Sequence, residues 1–338
     1  MNVKMEKIRE LPVGAKNVFF DPRGNVLATW RCSMWPSEYV LQFWEIASGT
    51  LLKSIDLKYF VMQKGYVPVE ACFTPDWKIF VVGCREGARG PEGPIHLIGA
   101  QTGTEMGRLP GHSSNLESIT VSPDGNLVVS GSWNGEIKVW NLRSLQEVTT
   151  LKNHHFNVQA LAFNPAGTNL ASGSGTQLRA PPDIVLWDAG TWNKNRETKF
   201  EVDWLGARQR NDVTSLQFSP DGEMLAVGGG SQASYDVGLS ILDGVTPDVL
   251  KTLMRKTPDV QTYACVIGVQ FNPEGTLLFS GHGDGTIRIW DVNSGEKIED
   301  VQEKIGKCVW GIALSPDGSM FATTSQSPGD LTQIWSLS

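Results

Sequence analysis

The residues that could carry acid–base, nucleophilic or phosphate chemistry are scattered along this chain and do not form a known catalytic motif. The sequence contains no G-x-S-x-G turn, no H-E-x-x-H pair and no G-x-x-x-x-G-K-[ST] loop. Gly228–Gly230 followed by Ser231 resembles a phosphate loop, but strand-like sequence lies on both sides and supplies no helix N-terminus. Glu299 and Asp300 are neighbours on a predicted strand, where successive side chains point to opposite faces. We therefore predict that the protein is not an enzyme.

Metal binding and disulfide bonds are not expected either. His154 and His155 are adjacent, but no carboxylate or cysteine stands at ligand spacing from them. The five cysteines are odd in number and irregularly spaced, and none forms a C-x-x-C pair. They are typical of buried free thiols in a reducing compartment. We predict no metal and no cofactor.

Composition and charge limit the class of partner. Lys and Arg number 29 against 36 Asp and Glu, which gives a formal net charge of −7. Nucleic acids and anionic membranes bind basic surfaces, so neither is expected as the main partner. The charged N-terminal segment lacks the apolar core of a signal peptide, and no apolar run is long enough to span a bilayer. These features predict a cytoplasmic protein that is monomeric on its own.

One short pattern recurs seven times at intervals of 42 to 55 residues and organises the chain. The copies are FDPRG, FTPDW, VSPDG, FNPAG, FSPDG, FNPEG and LSPDG, ending at Gly24, Trp77, Gly125, Gly167, Gly222, Gly275 and Gly318. Pro and Gly at these positions indicate a tight turn, and the alternating apolar segments on both sides indicate strands. A third strand, ending near a Trp in five copies, and a fourth strand complete each repeat.

The repeats resemble those of the WD40 family. The third copy is the best match, with Gly111 and His112, then VSPDG, then SGSWNGEIKVW ending at Trp140. The sixth copy contains SGHGDGTIRIWD, whereas copies two and five lack the Trp-Asp strand. The resemblance covers the whole chain. It implies a β-propeller but does not specify a partner, because a fold does not determine a function.

The physical argument supports the same fold. A four-stranded sheet cannot bury both of its faces alone, whereas seven sheets packed in a ring bury both faces of each. We predict an all-β, single-domain, seven-bladed β-propeller of four-stranded antiparallel blades over residues 1–338. The last repeat lacks a fourth strand, and we predict that the N-terminal strand completes it. The approximate blades are 15–56, 67–110, 114–152, 156–202, 212–254, 265–303, and 308–338 plus 3–11.

The resemblance also implies a buried network of hydrogen bonds within a blade. In the third repeat its members would be His112, Ser130, Asn134 and Trp140, with Asn134 at a position where the family prefers Asp. The corresponding residues are His154, Ser172 and Trp187 in the fourth repeat and Thr262, Ser280, Asp284 and Trp290 in the sixth. Such a network ties a loop to two strands, so we predict a structural role for these histidines and serines.

Long connecting segments on one face are the predicted partner-binding surface. Function concentrates on long loops over rigid scaffolds, and aromatic and Arg residues are enriched at binding hot spots. The predicted contact residues in these segments are Trp35, Tyr39, Arg85, Arg89, Arg179, Trp204, Arg208 and Tyr235. The alternative is that the aromatic side chains pack beneath their own loops.

A second set of candidates is defined by position. The residue six before each repeat Pro should enter the innermost strand at the mouth of the central channel, where WD40 proteins commonly contact ligands. This ring consists of Lys16, Val69, Glu117, Gln159, Thr214, Ile267 and Trp310. The predicted partner-binding residues are Lys16, Glu117, Gln159 and Trp310, together with Trp133 beside the tight turn of the third repeat. The alternative for Trp310 is that it plugs the channel.

Together these features predict a non-catalytic scaffold that binds a protein or a peptide on its loop-rich face. One alternative is a small-ligand binder, or a hydrolytic or isomerising enzyme, with its site at the channel mouth. Converging polar groups with perturbed pKa values around Trp310, Glu117 and Asp212 would favour that alternative, whereas a flat aromatic surface would favour the scaffold. Another alternative is a constitutive subunit of a larger complex, which would expose a broad apolar patch.

Overall fold

The computed structural model describes residues 3–34, 37–62, 66–86, 93–175, 182–200, 212–230, 237–255, 265–301, 308–325 and 329–338. Within these ranges it contains 28 strands in seven four-stranded sheets and one short helix, α1 (Lys58–Met62). The sheets form a ring, and the predicted all-β, seven-bladed propeller is confirmed. In this described part of the chain no helix is long and apolar enough to cross a membrane.

Each blade is an antiparallel sheet, and in blades one to six the strands follow the chain from the central channel outward. The chain starts with β1 (Met5–Leu11), which belongs to blade seven. Blade one consists of β2 (Asn17–Phe20), β3 (Val26–Met34), β4 (Ser37–Glu45) and β5 (Leu51–Asp56). Blade two consists of β6 (Tyr66–Phe73), β7 (Ile79–Glu86), β8 (Ile95–Gly99) and β9 (Glu105–Leu109). Blade three consists of β10 (Leu116–Val121), β11 (Leu127–Ser132), β12 (Glu136–Asn141) and β13 (Gln146–Lys152).

Blades four to six repeat this order, and blade seven supplies only three strands of its own. Blade four consists of β14 (Val158–Phe163), β15 (Asn169–Ser174), β16 (Asp183–Asp188) and β17 (Lys194–Lys199). Blade five consists of β18 (Asp212–Phe218), β19 (Met224–Gly230), β20 (Val237–Asp243) and β21 (Val249–Arg255). Blade six consists of β22 (Val266–Phe271), β23 (Leu277–His282), β24 (Ile287–Asp291) and β25 (Lys297–Val301). Blade seven consists of β26 (Gly311–Leu314), β27 (Met320–Thr324) and β28 (Thr332–Leu337), with β1 as its outer strand.

The ring is closed by the N-terminal strand, as predicted. β1 pairs antiparallel with β28, from Met5 opposite Leu337 to Leu11 opposite Thr332. The Leu11 side chain is fully buried in the apolar core between blades one and seven. The innermost strands β2 and β26 also contact each other, so that both ends of the chain hold the last blade in place.

The repeated turn uses its polar residues to satisfy its own backbone. In the third copy, Ser122 Oγ accepts a hydrogen bond from the backbone N–H of Leu127 at 2.9 Å, and Asp124 accepts one from that of Asn126 at 3.0 Å. Gly125 has a φ of 72°, a left-handed conformation that glycine adopts without a steric penalty. The turn chemistry in the sequence therefore directly determines the hairpin between the first two strands of the blade.

In blade three the hydroxyl of Ser130 lies at the centre of the buried network. Its Oγ accepts a hydrogen bond from Trp140 Nε1 at 2.9 Å and is hydrogen-bonded to His112 Nε2 at 2.7 Å. Asn134 lies outside this group, because its Oδ1 accepts a hydrogen bond from Ser132 Oγ at 2.6 Å within the β11–β12 turn. The network therefore has three of the four members that the family resemblance implied.

The same arrangement recurs in blades four and six. Ser172 connects His154 and Trp187, at 2.7 Å and 2.8 Å. In blade six Ser280 accepts from Trp290 Nε1 at 2.9 Å, and its histidine partner at 2.8 Å is His282, two residues along the same strand. Thr262, the position inferred from the family pattern, lies outside the described residues, and His282 was not singled out in the sequence. The alternation of side chains along a strand was the signal for it, since residues 280 and 282 share a face.

The remaining blades show why the central hydroxyl is present. In blades one and seven a Thr replaces the Ser, with Trp44 Nε1 donating to Thr29 Oγ1 at 3.0 Å and Trp335 Nε1 to Thr323 Oγ1 at 3.4 Å. In blade two, apolar residues stand at both positions: Val82 replaces the hydroxyl residue and Ile98 replaces the Trp. In blade five, Val227 and Leu242 do the same. A buried indole N–H needs an acceptor, so the hydroxyl accompanies the Trp and is absent where the Trp is absent.

Candidate functional site

A cavity of about 650 Å³ lies where the first strands of the blades converge on the channel. Six of the seven ring residues that sequence position defined line it: Lys16, Glu117, Gln159, Thr214, Ile267 and Trp310. The seventh, Val69, does not line the cavity, but its carbonyl oxygen accepts a hydrogen bond from Lys16 Nζ. The cavity is of the size that binds a side chain or a small ligand. We call it the channel mouth.

Local irregularities in the inner strands aim the ring residues into the channel mouth. The pairing of β10 with β11 shifts between Leu116 and Ser118, so that Glu117 is the extra residue of a β-bulge. Corresponding shifts fall at the ring positions of blades two, four, five and six. A bulge leaves one residue unpaired and re-aims its side chain, which explains how an inner strand can present a side chain to the channel.

Several charged groups of the channel mouth are paired between neighbouring blades. Lys16 Nζ lies 2.8 Å from Glu70 Oε2, and Asn17 Nδ2 donates to Glu70 Oε1 at 2.9 Å. On the far side Gln159 Nε2 donates to Asp212 Oδ2 at 2.9 Å. These bonds connect blade one to blade two and blade four to blade five, so they fix the shape of the mouth and satisfy Lys16 and Glu70.

Glu117 differs from these groups. Its carboxylate is half-buried, and among the described residues it makes no hydrogen bond and no ion pair within 4 Å. Burial raises its pKa above the ordinary value, the nearby charges of Asp212 and Glu70 raise it further, and those of Arg85 and Lys16 act in the opposite direction. Arg85 is itself partly buried, and its Nε has no hydrogen-bond partner within the described part of the chain. Glu117 is thus an acceptor directed into the cavity.

Trp310 forms part of the apolar wall of the channel mouth. A second cavity of about 610 Å³ lies further along the channel between inner strands, and Trp310 lines both cavities. The indole is partly exposed, and its backbone N–H donates to the Thr324 carbonyl at 2.9 Å. A side chain in this position narrows the channel and still borders the mouth, so the two roles predicted for Trp310 are compatible.

The described residues of the channel mouth do not place a nucleophile against a base. Thr214 Oγ1 donates to backbone carbonyl groups of neighbouring strands, and Ser118 Oγ donates to the Val158 carbonyl at 2.8 Å. Burial raises the pKa of the Cys265 thiol, which keeps it protonated at neutral pH. Within the described part of the chain no group of three or more His, Cys, Asp or Glu side chains is arranged to hold a metal ion.

The predicted loop residues are described only in part. Trp133 is 41% exposed beside the β11–β12 turn, whereas Tyr39 is buried on β4 and packs into the core between blades one and two. Tyr39 therefore matches the alternative in which an aromatic side chain packs beneath its own loop. The predicted residues that lie outside the described ranges are Trp35, Arg89, Arg179, Trp204, Arg208 and Tyr235.

Comparison with known proteins places these features in a family context. A family model described as "WD domain, G-beta repeat" matches residues 103–141, 145–179, 205–234 and 257–291. The chain is similar to small ribosomal subunit protein RACK1y of Oryza sativa subsp. japonica, with 31% identity over 199 residues, 56% of this chain and 52% of the relative. It is also similar to guanine nucleotide-binding protein subunit beta of Zea mays, with 29% identity over 218 residues, 64% of this chain and 54% of the relative.

A third relative is eukaryotic translation initiation factor 3 subunit I of Drosophila pseudoobscura pseudoobscura. It is 26% identical over 223 residues, 64% of this chain and 63% of the relative. The matched part of the chain therefore spans from about half to less than two thirds of the length of these curated relatives.

Proposed function

Because the chain carries WD40 repeats and folds as a seven-bladed propeller, we propose that it is a non-catalytic scaffold that binds a protein or peptide partner and takes a cationic side chain of that partner into the channel mouth. The observation that carries this proposal is the half-buried Glu117 carboxylate, which has no hydrogen bond or ion pair to any described residue. A buried carboxylate without a partner is costly, and an entering ammonium or guanidinium group relieves that cost.

The charges around Glu117 support a cationic ligand. The charged residues that line the channel mouth are Glu70, Glu117, Asp212 and Lys16, so acidic groups outnumber basic groups by two. Lys16 is already paired with Glu70 at 2.8 Å. The Trp310 indole offers a flat apolar wall, against which the stem of a Lys or Arg side chain packs favourably.

The preference for a peptide over a free ligand rests on the surroundings of the mouth. The strands that flank the predicted long connections, among them β7, β15 and β19, end at the same end of the blades as the channel mouth. A partner segment that contacts those connections would lie beside the inserted side chain. The predicted contact residues in those connections remain part of this proposal.

The experiment compares fluorescein-labelled nonapeptides of Gly and Ser that carry one central Arg, Lys or norleucine. Fluorescence anisotropy is expected to show tighter binding of the Arg and Lys peptides. The Glu117→Gln variant should reduce this preference about tenfold, which corresponds to the loss of one charge-assisted hydrogen bond. Glu223→Gln, at an exposed turn carboxylate on blade five, is the matched control and should leave the preference unchanged. Equal binding of the three peptides, or an unchanged preference in Glu117→Gln, would contradict the proposal.

A small-ligand binder is the second candidate, because the channel mouth is a polar cavity that contains a carboxyl group of raised pKa. Isothermal titration with methylguanidine and butylamine distinguishes the two candidates. Binding of these free cations as tight as that of the Arg and Lys peptides would favour a small ligand. Much weaker binding of the free cations would favour a peptide partner whose neighbouring residues add affinity.

A further inference from the structure

Another pocket, separate from the two cavities described above, lies at the opposite end of the blades from the channel mouth. It has a volume of about 680 Å³ and lies between blades one and two. Its walls include the turn 21–23, Phe43, Leu52, Lys53 and Trp77. The ring residue Lys16 precedes β2, whereas the turn 21–23 follows it, which places the two pockets at opposite ends of the same strand. We call this cavity the seam pocket.

Trp77 is an exception to the repeat that forms it. In the six other copies of the turn this position is Gly, with φ between 68° and 77°. Trp77 adopts the same left-handed backbone, at φ 58°, although a bulky side chain is strained there. At each of those six Gly residues, an added Cβ would contact the Pro of the turn in the preceding blade. In blade two the Trp77 side chain occupies the corresponding space and lies with Pro22 of blade one in the lining of the seam pocket.

The indole of Trp77 forms a wall of the seam pocket. It stacks on Phe73 with ring centroids 4.5 Å apart and an interplanar angle of 14°, and it meets Phe43 edge-on at 6.1 Å. The indole remains partly exposed, and Leu52 on the outer strand of blade one is 54% exposed. Backbone strain at a residue that lines a cavity points to a role for its side chain, and here the result is an apolar cleft at the surface.

Basic side chains outnumber acidic ones by one at the rim of the seam pocket, with Arg23, Lys53 and Lys78 against Asp21 and Asp76. Asp21 Oδ1 accepts from two backbone N–H groups of its own turn, and Asp76 is bonded to Thr74 Oγ1 and paired with Lys78 Nζ at 3.0 Å. Asp76 is therefore paired with Lys78, and the Asp21 carboxylate is held by the backbone of its own turn.

Two cations of this rim, Arg23 and Lys53, have no acidic partner among the described residues. Arg23 is exposed and makes no side-chain hydrogen bond or ion pair with any residue in the described ranges. Among the described residues, Lys53 Nζ donates only to the backbone carbonyl of Gln101. This local surplus contrasts with the formal net charge of −7 on the whole chain.

We propose that the seam pocket is a second peptide-binding site, which takes an apolar side chain flanked by acidic residues. The apolar side chain would lie between Trp77 and Leu52, and the acidic flanks would pair with Arg23 and Lys53. Opposite charges at the rim of an apolar cleft set the orientation and the choice of partner. This inference does not depend on the channel mouth, which lies at the other end of the blades and favours a cationic group.

The test uses two fluorescein-labelled heptapeptide pools, each with Leu, Phe or Trp at the central position. The two positions on either side of it are Asp or Glu in one pool and Lys or Arg in the other. Anisotropy titrations should show saturable binding of the acidic pool, weakened at least tenfold in the Arg23→Glu/Lys53→Glu variant. Arg143→Glu, which changes an exposed Arg in a turn of blade three at the same end of the blades, is the matched control and should change binding less than twofold.

The role of the strained residue is tested separately. Trp77→Gly restores the residue that six turns of this chain already accept, so the variant should fold, and circular dichroism checks this. It should weaken binding of the acidic pool at least tenfold, while Glu117→Gln leaves it unchanged. No saturable binding of the acidic pool, equal binding of both pools, or an equal loss in Arg143→Glu would overturn the proposal.

Discussion

Replacing Ser130 with Ala tests whether a single hydroxyl holds the interior of blade three together. Ser130 is fully buried and is bonded both to Trp140 Nε1 at 2.9 Å and to His112 Nε2 at 2.7 Å. The substitution removes one oxygen atom and leaves both rings in place. His112 Nδ1 has no hydrogen-bond partner among the residues that the structure describes, so the ring would lose the hydrogen bond that its Nε2 makes.

The expected loss follows from the two groups left unsatisfied. Each of the two buried polar groups that loses its partner should cost about 1–2 kcal/mol, so Ser130→Ala should lower the free energy of unfolding by about 2–4 kcal/mol. A chain of 338 residues has an unfolding entropy of roughly 0.7 kcal/mol/K. The expected fall in melting temperature is therefore about 3–6 °C.

Two isosteric substitutions in other blades provide the internal controls. Thr29→Val leaves one indole N–H without its acceptor, at 3.0 Å, and should cost about 1–2 kcal/mol. Thr323→Val breaks a longer contact of 3.4 Å and should cost less than about 1 kcal/mol. Urea unfolding followed by circular dichroism measures all three variants. If Ser130→Ala is no less stable than Thr323→Val, the central role assigned to the Ser130 hydroxyl is wrong.

Three further predictions concern the closure of the ring and its buried titratable groups. Deleting residues 1–11 removes the outer strand of blade seven and should lower the melting temperature by about 5 °C or more; an unchanged thermal melt would contradict the role of that strand in closure. Burial lowers the pKa of His112 and of His154 from 6.5 to about 4, so the folded state binds fewer protons, and the stability present above pH 6.5 is lost as the pH falls toward 4. Between pH 7 and pH 5 each histidine should account for a loss of about 2 kcal/mol in urea unfolding, and His154→Gln should show a correspondingly smaller loss than wild type. The raised pKa of Glu117 has the opposite sign, so Glu117→Gln should raise the melting temperature at pH 7 and lose this advantage below pH 4.5; a lower melting temperature at pH 7 would show that the carboxylate is stabilised by a partner.

The fold could be predicted from the sequence because its information is local and repeated. Each copy of the turn specifies a hairpin through Pro, a carboxylate or amide, and Gly, and each hairpin has apolar faces that only a neighbouring blade can cover. The missing fourth strand and the spare N-terminal segment then determine the closure, since β28 would otherwise expose an unpaired edge. The ring positions also followed from sequence, because they stand at a fixed distance from the repeat Pro.

The chemistry of both pockets depended on contacts that sequence spacing does not encode. Nothing in the pattern around Glu117 shows that it is the extra residue of a bulge, or that Glu70 already holds Lys16 from the next blade. FTPDW was recognisable as a turn, but its Trp became a wall of a pocket only through Phe73 and the turn of blade one. The sequence by itself determined the number, order and closure of the blades, because turn chemistry and strand periodicity act between near neighbours. The tertiary structure alone decided which charges are paired among the described residues and which are not, because pairing across a seam joins residues about fifty positions apart and depends on how two blades pack.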